Sequence, residues 1–247
     1  MENFYELNFC HLYPDLLNVY GDFGNILILK YRCEQRGIKV NLFNVKLKDD
    51  FLYNEMDIVL LGGGQDFEQS IVSEDLKAKA EDIKKYIEED GVFIGICGGY
   101  QLLGEHYITA KGDVVEGLKI LPIKTEQGNS RFINDIIIED LENKNTYVGF
   151  ENHGGLTYLL DEAKPLGKVL YGNGNNGEDG FEGVRYKNTV GTYLHGSLLA
   201  KNPLLADELI KKALYKKYKK EIDLDYLDNT LEECAKEILV EKLLSKK

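Results

Sequence analysis

The sequence lacks the features that define several common classes of protein. Its four cysteines, at positions 10, 33, 97 and 234, form no Cys-x-x-Cys pair, so neither a zinc site nor a disulfide framework is predicted. Basic side chains are outnumbered, with 30 Lys and Arg against 42 Asp and Glu and a net charge of −12. This balance argues against nucleic acid as a partner, because no basic stripe is available to neutralise phosphates.

Long apolar runs are also missing. No stretch of about 18 apolar residues occurs, and residues 1–6 have neither a basic n-region nor an apolar core, so neither a membrane span nor export is predicted. The 247 residues, 43% of them hydrophobic, suit a single α/β domain over 1–247, with 203–247 a C-terminal helical extension packed on it. We therefore expect a cytoplasmic protein.

A glycine-flanked cysteine is the most informative feature that is present. The segment Gly95-Ile96-Cys97-Gly98-Gly99-Tyr100-Gln101 follows the apolar run Val92-Phe93-Ile94. A strained strand-to-helix turn needs small residues around a nucleophile, because a Cβ there would collide with the backbone. The positive end of the following helix would favour a thiolate. Cys97 is the candidate nucleophile, whereas Cys10, Cys33 and Cys234 are expected to be small core hydrophobes.

Two histidines are candidates for the accompanying base. His195 ends the strand-like run 189–194 and precedes Gly196, while His153 lies in the glycine-rich segment 149–155. The ends of neighbouring strands in an open α/β sheet meet at one edge, so His195 can converge with Cys97. The alternative for each histidine is a ring that is satisfied by backbone hydrogen bonds at a turn.

A third glycine cluster, Gly62-Gly63-Gly64-Gln65-Asp66, follows the apolar run 57–61. Exposed backbone amides in such a loop can hold a phosphate or a developing oxyanion. The cluster lacks the Lys-Ser/Thr ending of a phosphate loop and the Gly-x-Gly-x-x-Gly spacing, which disfavours nucleotide binding. We therefore favour an oxyanion loop and expect neither cofactor nor metal, with a plain strand-to-helix connection as the alternative.

The order of the elements predicts an α/β fold with an open, mostly parallel sheet and helices on both faces. Strands are expected near 7–12, 38–45, 57–61 and 92–96, alternating with helices near 24–36, 73–89 and 100–106. The helix at 73 has Ser73 as its expected N-cap. Short strands from about 131 to 195 are expected to extend this sheet and to deliver His195.

The chain after Pro203 is predicted to be helical to its end. A second helix there opens with the capping-box pattern Thr230-Leu231-Glu232-Glu233. An apolar stripe on this helix is expected to dock on the protein's own core, and it comprises Leu231, Cys234, Ala235, Ile238 and Leu239.

The three glycine-rich blocks together resemble the class I glutamine amidotransferases, in the branch that contains the glutaminase domains of cobyric acid synthase and cobyrinate diamide synthase. Gly62–Asp66 is similar to the oxyanion loop of that family, Gly95–Gln101 to its nucleophile elbow and Gly191–Gly196 to its histidine block. Order and spacing also agree. The resemblance implies a flavodoxin-like fold.

Three further segments extend the resemblance over nearly the whole chain, namely His11–Asp22, Gly128–Phe132 and Gly149–Gly155. With them the sequence is similar to the stand-alone glutaminase subunits of lipid II isoglutaminyl synthases. Such a subunit hydrolyses L-glutamine and passes ammonia to a Mur-ligase-like, ATP-dependent partner in a heterodimer, which amidates the D-glutamate of the lipid II stem peptide. The final acceptor is therefore lipid-linked.

The resemblance also implies roles for individual residues. Cys97 and His195 would catalyse the reaction, and Gly63, Gly64 and Gly98 would supply oxyanion donors. Glutamine would be bound by Arg131, Gln101 and His153. A guanidinium suits the α-carboxylate of glutamine, because its planar fork can make a bidentate pair, although a solvated loop arginine is the alternative reading.

One position departs from the family pattern. Many class I enzymes carry a glutamate two residues after the histidine, and here that residue is Ser197. A Cys-His dyad is therefore predicted, since a thiol needs less help to ionise than a hydroxyl. Glu151 and Asn152 are candidate substitutes for the third group.

Three other functions stay open: a glutaminase for a cobyrinate-type synthetase, a γ-glutamyl thiol hydrolase, and a noncatalytic module that binds a ligase.

Overall fold

A computed structural model describes residues 5–160 and 163–245 of the chain. Residues 1–4, part of the segment in which no export signal is predicted, lie outside the described residues. The described residues form two six-stranded sheets and seven α-helices. None of these helices is both long and apolar enough to cross a membrane.

The first sheet has the strand order β11-β12-β4-β3-β1-β2 and is parallel except for β11. Its strands are β1 (Glu6–Leu12), β2 (Lys39–Val45), β3 (Ile58–Leu61), β4 (Val92–Ile96), β11 (Val184–Tyr186) and β12 (Thr189–Thr192). Alternate side chains enter two separate cores, with Ile58 and Leu60 in one and Val59 and Leu61 in the other. The predicted open, mostly parallel sheet with a core on each face is thus confirmed.

Helices cover both faces of this sheet. They are α1 (Phe23–Glu34), α2 (Asp66–Ala78), α3 (Ala80–Glu88), α4 (Gly98–Leu102), α5 (Leu198–Lys201), α6 (Pro203–Tyr218) and α7 (Thr230–Leu244). The predicted start of a helix at Ser73 is wrong. The helix begins at Asp66, and the Ser73 hydroxyl donates to the Ser70 carbonyl inside it. The break falls at Lys79, between α2 and α3.

The segment that was expected to extend the first sheet instead forms most of a second, largely antiparallel sheet. Its strands are β5 (His106–Ile108), β6 (Val114–Glu116), β7 (Ile123–Asp140), β8 (Thr146–Leu159), β9 (Gly167–Tyr171) and β10 (Phe181–Glu182). The long hairpin of β7 and β8 dominates it, and only β11 and β12 return to the first sheet. Glycines in β8 resemble turn residues but serve close packing: a Cβ on Gly149 would lie 2.8 Å from the Leu194 Cβ.

The C-terminal helices differ in how they pack. Helix α6 buries Leu205, Leu209 and Ala213 in the core of the first sheet. The stripe predicted on α7 is wrong except at Leu239: Leu231 is 83% exposed, Ile238 is 61% exposed and Cys234 is exposed. The helix packs through Leu243, with Leu239 and Val240 beside it.

The predicted capping box at the start of α7 is also absent. The N-cap residue is Asn229, and the Thr230 hydroxyl donates to Asp228 Oδ1 in the preceding turn. Cys10 and Cys33 are buried as expected, so among the three cysteines assigned to the core only Cys234 is misplaced.

Candidate active site

A cavity of about 840 Å³ lies at the carboxyl edge of the first sheet, where β3, β4 and β12 end, and the second sheet forms part of its wall. Seven of the eight residues proposed from the sequence line it. They are Gly63, Gly64, Cys97, Gln101, Arg131, His153 and His195. The eighth, Gly98, follows Cys97 directly at the start of α4.

Cys97 lies on a strained turn between β4 and α4. Its backbone has φ 49° and ψ −106°, a combination that costs free energy for any residue with a side chain. Two hydrogen bonds hold it: its N–H donates to the Thr192 carbonyl at 2.9 Å, and its carbonyl accepts from the Gln101 N–H at 2.9 Å. The turn therefore presents a partly exposed thiol to the cavity.

His195 is held where the two sheets meet. Its N–H donates to the Phe150 carbonyl at 2.8 Å, and its carbonyl accepts from the Phe150 N–H at 3.3 Å, which forms an antiparallel bridge to β8. The residue is only 1% exposed. The ring of Tyr20 meets the imidazole edge-on, with 4.9 Å between ring centroids.

Gly63 shows how closely the thiol and the imidazole approach each other. A Cβ built on Gly63 would lie 3.2 Å from the Cys97 Cβ and 3.6 Å from the His195 Cε1. The two side chains therefore flank the same stretch of backbone. A methyl group at Gly63 would crowd Cys97 and would touch His195 at ordinary van der Waals distance. The absence of a side chain here leaves room for both groups.

Asp22 is a third group at this site that the sequence reading did not single out. Its Oδ1 lies 3.8 Å from His195 Nδ1, and its Oδ2 accepts a 2.7 Å hydrogen bond from the Gly63 N–H. Asp22 is fully buried at the start of α1. Asp22 lies within the segment 11–22, which carries part of the family resemblance. That resemblance was the one feature of the sequence that could have pointed to Asp22 as a site residue.

The electrostatics of His195 reflect these neighbours. Burial by itself lowers the pKa of the imidazole, but the Cys97 thiolate and the Asp22 carboxylate outweigh burial and raise the pKa of His195 to about 10. The imidazole of His195 is therefore protonated through the neutral range. The predicted dyad gains a carboxylate neighbour that can orient the ring.

The two substitutes suggested for the third group are engaged elsewhere. The Glu151 carboxylate accepts hydrogen bonds from the backbone N–H groups of Asn173 and Gly174. Asn152 contacts Arg131 and Tyr20. Ser197, which occupies the usual glutamate position, donates its hydroxyl to the Gly21 carbonyl at 3.0 Å.

The role of the glycine loop as an oxyanion site stays a prediction. The Gly63 N–H donates to Asp22 in this structure, so it would have to exchange that carboxylate for the oxyanion. Gly64 and Gly98 remain as candidate donors. Gln69 Nε2 donates to the Gly64 carbonyl at 3.0 Å, and the same amide fills the space that a Cβ on Gly98 would need.

The remaining three candidates, Arg131, Gln101 and His153, also line the cavity. Arg131 lies in a bulge of β7 between Gln127 and Phe132, and its Nη2 donates to the Asn152 carbonyl at 3.0 Å. Gln101 is buried and donates through Nε2 to the Tyr193 hydroxyl at 3.0 Å.

His153 is unsuited to the role of base that competed with His195. Its ring stacks on Tyr193 with 3.6 Å between centroids, and its Nδ1 pairs with the Gly155 carbonyl at 2.8 Å. Burial lowers its pKa to about 4, so the ring is neutral near pH 7. Within residues 5–160 and 163–245, no group of three or more His, Cys, Asp or Glu side chains is arranged to hold a metal ion.

Comparison with known protein families identifies the family to which the chain belongs. The CobB/CobQ-like glutamine amidotransferase domain matches residues 8–203, and the chain belongs to this family. The resemblance drawn from the sequence is thereby confirmed.

Particular relatives narrow the comparison. The chain is 52% identical to the lipid II isoglutaminyl synthase (glutamine-hydrolyzing) subunit GatD of Streptococcus pneumoniae (strain ATCC BAA-255 / R6), over 94% of this chain and 90% of that protein. It is 43% identical to the subunit of the same name from Staphylococcus aureus (strain N315), over 96% of each.

Solved structures support the fold. A glutamine amidotransferase from Thermotoga maritima aligns with a TM-score of 0.53 at 19% identity, covering 96% of this chain and 98% of that one. The glutaminase domain of Trypanosoma brucei CTPS, with bound acivicin, aligns with a TM-score of 0.51 at 10% identity, covering 89% of this chain and 96% of that one.

Proposed function

We propose that this protein is the glutaminase subunit of a lipid II isoglutaminyl synthase. It hydrolyses L-glutamine through a thioester on Cys97 and supplies the ammonia to a Mur-ligase-like, ATP-dependent partner that amidates the D-glutamate of the stem peptide. The observation that carries the chemistry is the convergence of Cys97, His195 and Asp22 around Gly63. The acceptor rests on the 52% identity to a subunit of that name over nearly the full length of both chains.

The first half-reaction forms the thioester. The Cys97 thiolate attacks the side-chain amide carbon of glutamine, and backbone N–H groups of Gly64 and Gly98 stabilise the oxyanion that develops. The His195 imidazolium donates its proton to the amide nitrogen, the carbon–nitrogen bond breaks, and ammonia leaves. Asp22 keeps the imidazole oriented and protonated until that step.

The second half-reaction restores the enzyme. His195, now neutral, takes a proton from water, and the resulting hydroxide attacks the thioester carbonyl carbon. The carbon–sulfur bond breaks, glutamate is released, and the Cys97 thiolate is regenerated beside the imidazolium. Arg131, which lines the same cavity, would pair with the α-carboxylate of glutamine throughout, which fixes the pose of the substrate.

The need for a partner follows from the product. Ammonia released into water near neutral pH is mostly protonated and no longer nucleophilic, so a glutaminase without a docked acceptor enzyme would waste it. The alternative functions predict different companions for the chain: a cobyrinate-type synthetase in one case and no partner enzyme in the case of a γ-glutamyl hydrolase. Co-purification from the native cell, followed by identification of the bound protein, separates them: a stable ATP-grasp or cobyrinate-type companion would reject the lipid II assignment.

The decisive variant is Cys97→Ala. We expect it to abolish glutamine-dependent amidation by the complex while ammonium salts still support the reaction, because only the source of ammonia is lost. The loss should exceed the roughly 100-fold effect of deleting one oxyanion donor. Cys234→Ala is the matched control, since that thiol is exposed on α7. Glutamine hydrolysis by purified Cys97→Ala protein would refute the assignment of the nucleophile.

A further inference from the structure

Tyr20 has a backbone conformation that a bulky residue rarely adopts. It lies in the short turn Val19–Gly21 with φ 59° and ψ 23°, in the left-handed region. Side chains with a Cβ pay for this conformation, so it persists only where the surroundings impose it. The side chain is not placed in the core, because the residue is 45% exposed and lines the cavity. The strain therefore delivers an aromatic ring to the active site.

The ring and the hydroxyl of Tyr20 contact two different parts of that site. The ring meets His195 edge-on at a centroid distance of 4.9 Å and an interplanar angle of 66°. The hydroxyl accepts a 2.6 Å hydrogen bond from Asn152 Nδ2. Asn152 in turn receives hydrogen bonds from Arg131 at both its side-chain and backbone oxygens. Tyr20 thus contacts the imidazole of His195 directly and is linked to the guanidinium of Arg131 through Asn152.

The direction of these hydrogen bonds is fixed by chemistry. A guanidinium can only donate, so Arg131 must face the amide oxygen of Asn152, which turns the amide NH₂ toward Tyr20. The Tyr20 oxygen then acts as acceptor. If the hydroxyl is removed, the Asn152 amide is held on one side only, and the pose of Arg131 loses a support.

We propose that Tyr20 is a positioning residue for glutamine hydrolysis. Its hydroxyl holds Arg131 in place through Asn152, and its ring shields His195 from the open side of the cavity. This inference rests on the proposed function, because it assumes that Arg131 binds the α-carboxylate of glutamine. It predicts that the two parts of the side chain affect different kinetic constants.

The test uses two electrophiles on the full-length chain. A glutamine-like electrophile such as 6-diazo-5-oxo-L-norleucine carries the α-carboxylate, whereas iodoacetamide alkylates a thiolate without it. For Tyr20→Phe we expect the half-saturating concentration of the glutamine-like reagent to rise about three- to tenfold, the effect of one lost hydrogen bond. Its maximal labelling rate and the iodoacetamide rate at Cys97 should stay unchanged, because the ring is retained.

Two further variants probe the coupling and the ring. Asn152→Ala should raise the half-saturating concentration at least as much as Tyr20→Phe, because it also removes the side-chain oxygen that accepts directly from Arg131. The double variant should be no worse than Asn152→Ala alone, because the Tyr20 hydroxyl acts only through Asn152. Tyr20→Ala should also lower the maximal rate, because water reaching His195 screens its attraction to the thiolate. Tyr31→Phe on α1, at a residue 56% exposed, should leave both constants unchanged.

The outcomes separate the inference from the function. The role of Tyr20 would be overturned by an unchanged half-saturating concentration of the glutamine-like reagent in Tyr20→Phe, or by fully additive effects in the double variant. Labelling of wild-type Cys97 by that reagent would still support the proposed function in either case. A wild-type chain that reacts with iodoacetamide at Cys97 but not with the glutamine-like reagent would overturn both.

Discussion

At the scale of single residues, the charge state of His195 is the property on which the chemistry depends. Its pKa of about 10 means that the ring stays protonated through the neutral range, which is the state that the proposed mechanism requires for donation to ammonia. Burial opposes this state, and the negative charges of Cys97 and Asp22 produce it. Of those two, Asp22 takes no covalent part in the reaction, so it can be replaced without removing the nucleophile.

Asp22→Asn should weaken catalysis and shift its pH dependence. An asparagine oxygen can still accept from the Gly63 N–H, but the negative charge 3.8 Å from His195 is gone. The pKa of His195 then falls, so the alkaline limb of the pH–rate profile moves to lower pH. We expect kcat to drop by roughly 10- to 100-fold, less than the ~10⁴-fold loss in a serine triad, because a thiol ionises more readily.

The measurement is the pH profile of glutamine hydrolysis by the complex. Asp15→Asn serves as the control, because Asp15 lies in the same segment with its side chain 49% exposed and 3.9 Å from Lys46. An alkaline limb that stays in place in Asp22→Asn would show that the carboxylate does not set the charge of the imidazole.

Cys97 and His195 could be predicted from the sequence, whereas Asp22 and Tyr20 could not, and the difference has a physical reason. Cys97 and His195 stand beside glycines at strand ends, which is a local pattern that can be read in the sequence. Asp22 has no such mark: an aspartate before a helix looks like an ordinary N-cap, and only the fold brings it to Gly63. Tyr20 was missed likewise, since nothing in the residue type reveals a positive φ.

At the scale of elements, the elbow depends on how closely α4 approaches β3. The Gly99 N–H donates to the Gly62 carbonyl at 3.1 Å, and a Cβ on Gly99 would lie 2.1 Å from the Leu61 carbonyl oxygen. That neighbour is backbone and cannot rotate away. The glycine therefore serves the packing of the helix against the strand, which in turn fixes the position of Cys97.

Gly99→Ala should destabilise the protein and displace the thiol. Overpacking of this kind costs about 1–3 kcal/mol, because either α4 or β3 must move. Chemical denaturation measures the change in the free energy of unfolding. Gly154→Ala is the matched control for stability, since a Cβ there meets nothing within 4 Å. Equal stability of the two variants would contradict the assigned packing role.

The elements themselves were predictable to different degrees. The parallel strands are short apolar runs with clear boundaries, so their positions followed from the sequence. The hairpin of β7 and β8 was misread because glycine and asparagine within a strand look like turn residues. The start of α2 was misplaced because Ser73, followed by Glu74 and Asp75, has the pattern of an N-cap although it lies inside the helix.

At the scale of the whole molecule, a buried ion cluster joins the two sheets. Arg185 on β11 of the first sheet contacts Asp140 at the end of β7 at 2.7 Å and Glu208 on α6 at 2.5 Å. Asp140 is fully buried and also accepts two backbone N–H groups of the following turn. Because the cavity wall comes from both sheets, this cluster helps to set the relative position of Arg131 and the thiol.

Removal of the guanidinium should therefore be costly to the whole fold. Arg185→Ala leaves the Asp140 carboxylate buried without its cation, and breaking a buried pair in this way costs about 3–5 kcal/mol. We expect the midpoint of denaturation to fall accordingly. Lys144→Ala is the control, because its ion pair with Glu139 spans 3.7 Å between exposed side chains and contributes little.

A double variant decides whether the loss comes from the stranded charge or from the lost packing of the arginine. Asp140→Asn keeps the oxygen that accepts the turn N–H groups but removes the charge, so Arg185→Met with Asp140→Asn leaves no fully buried ion. Glu208 stays charged, but its side chain is 22% exposed and keeps Lys212 at 2.7 Å. Replacing a buried pair by uncharged groups is often nearly neutral, and we expect this variant to recover most of the stability lost in Arg185→Ala. A double variant as unstable as Arg185→Ala would place the cost in packing between the sheets instead of in the unpaired carboxylate.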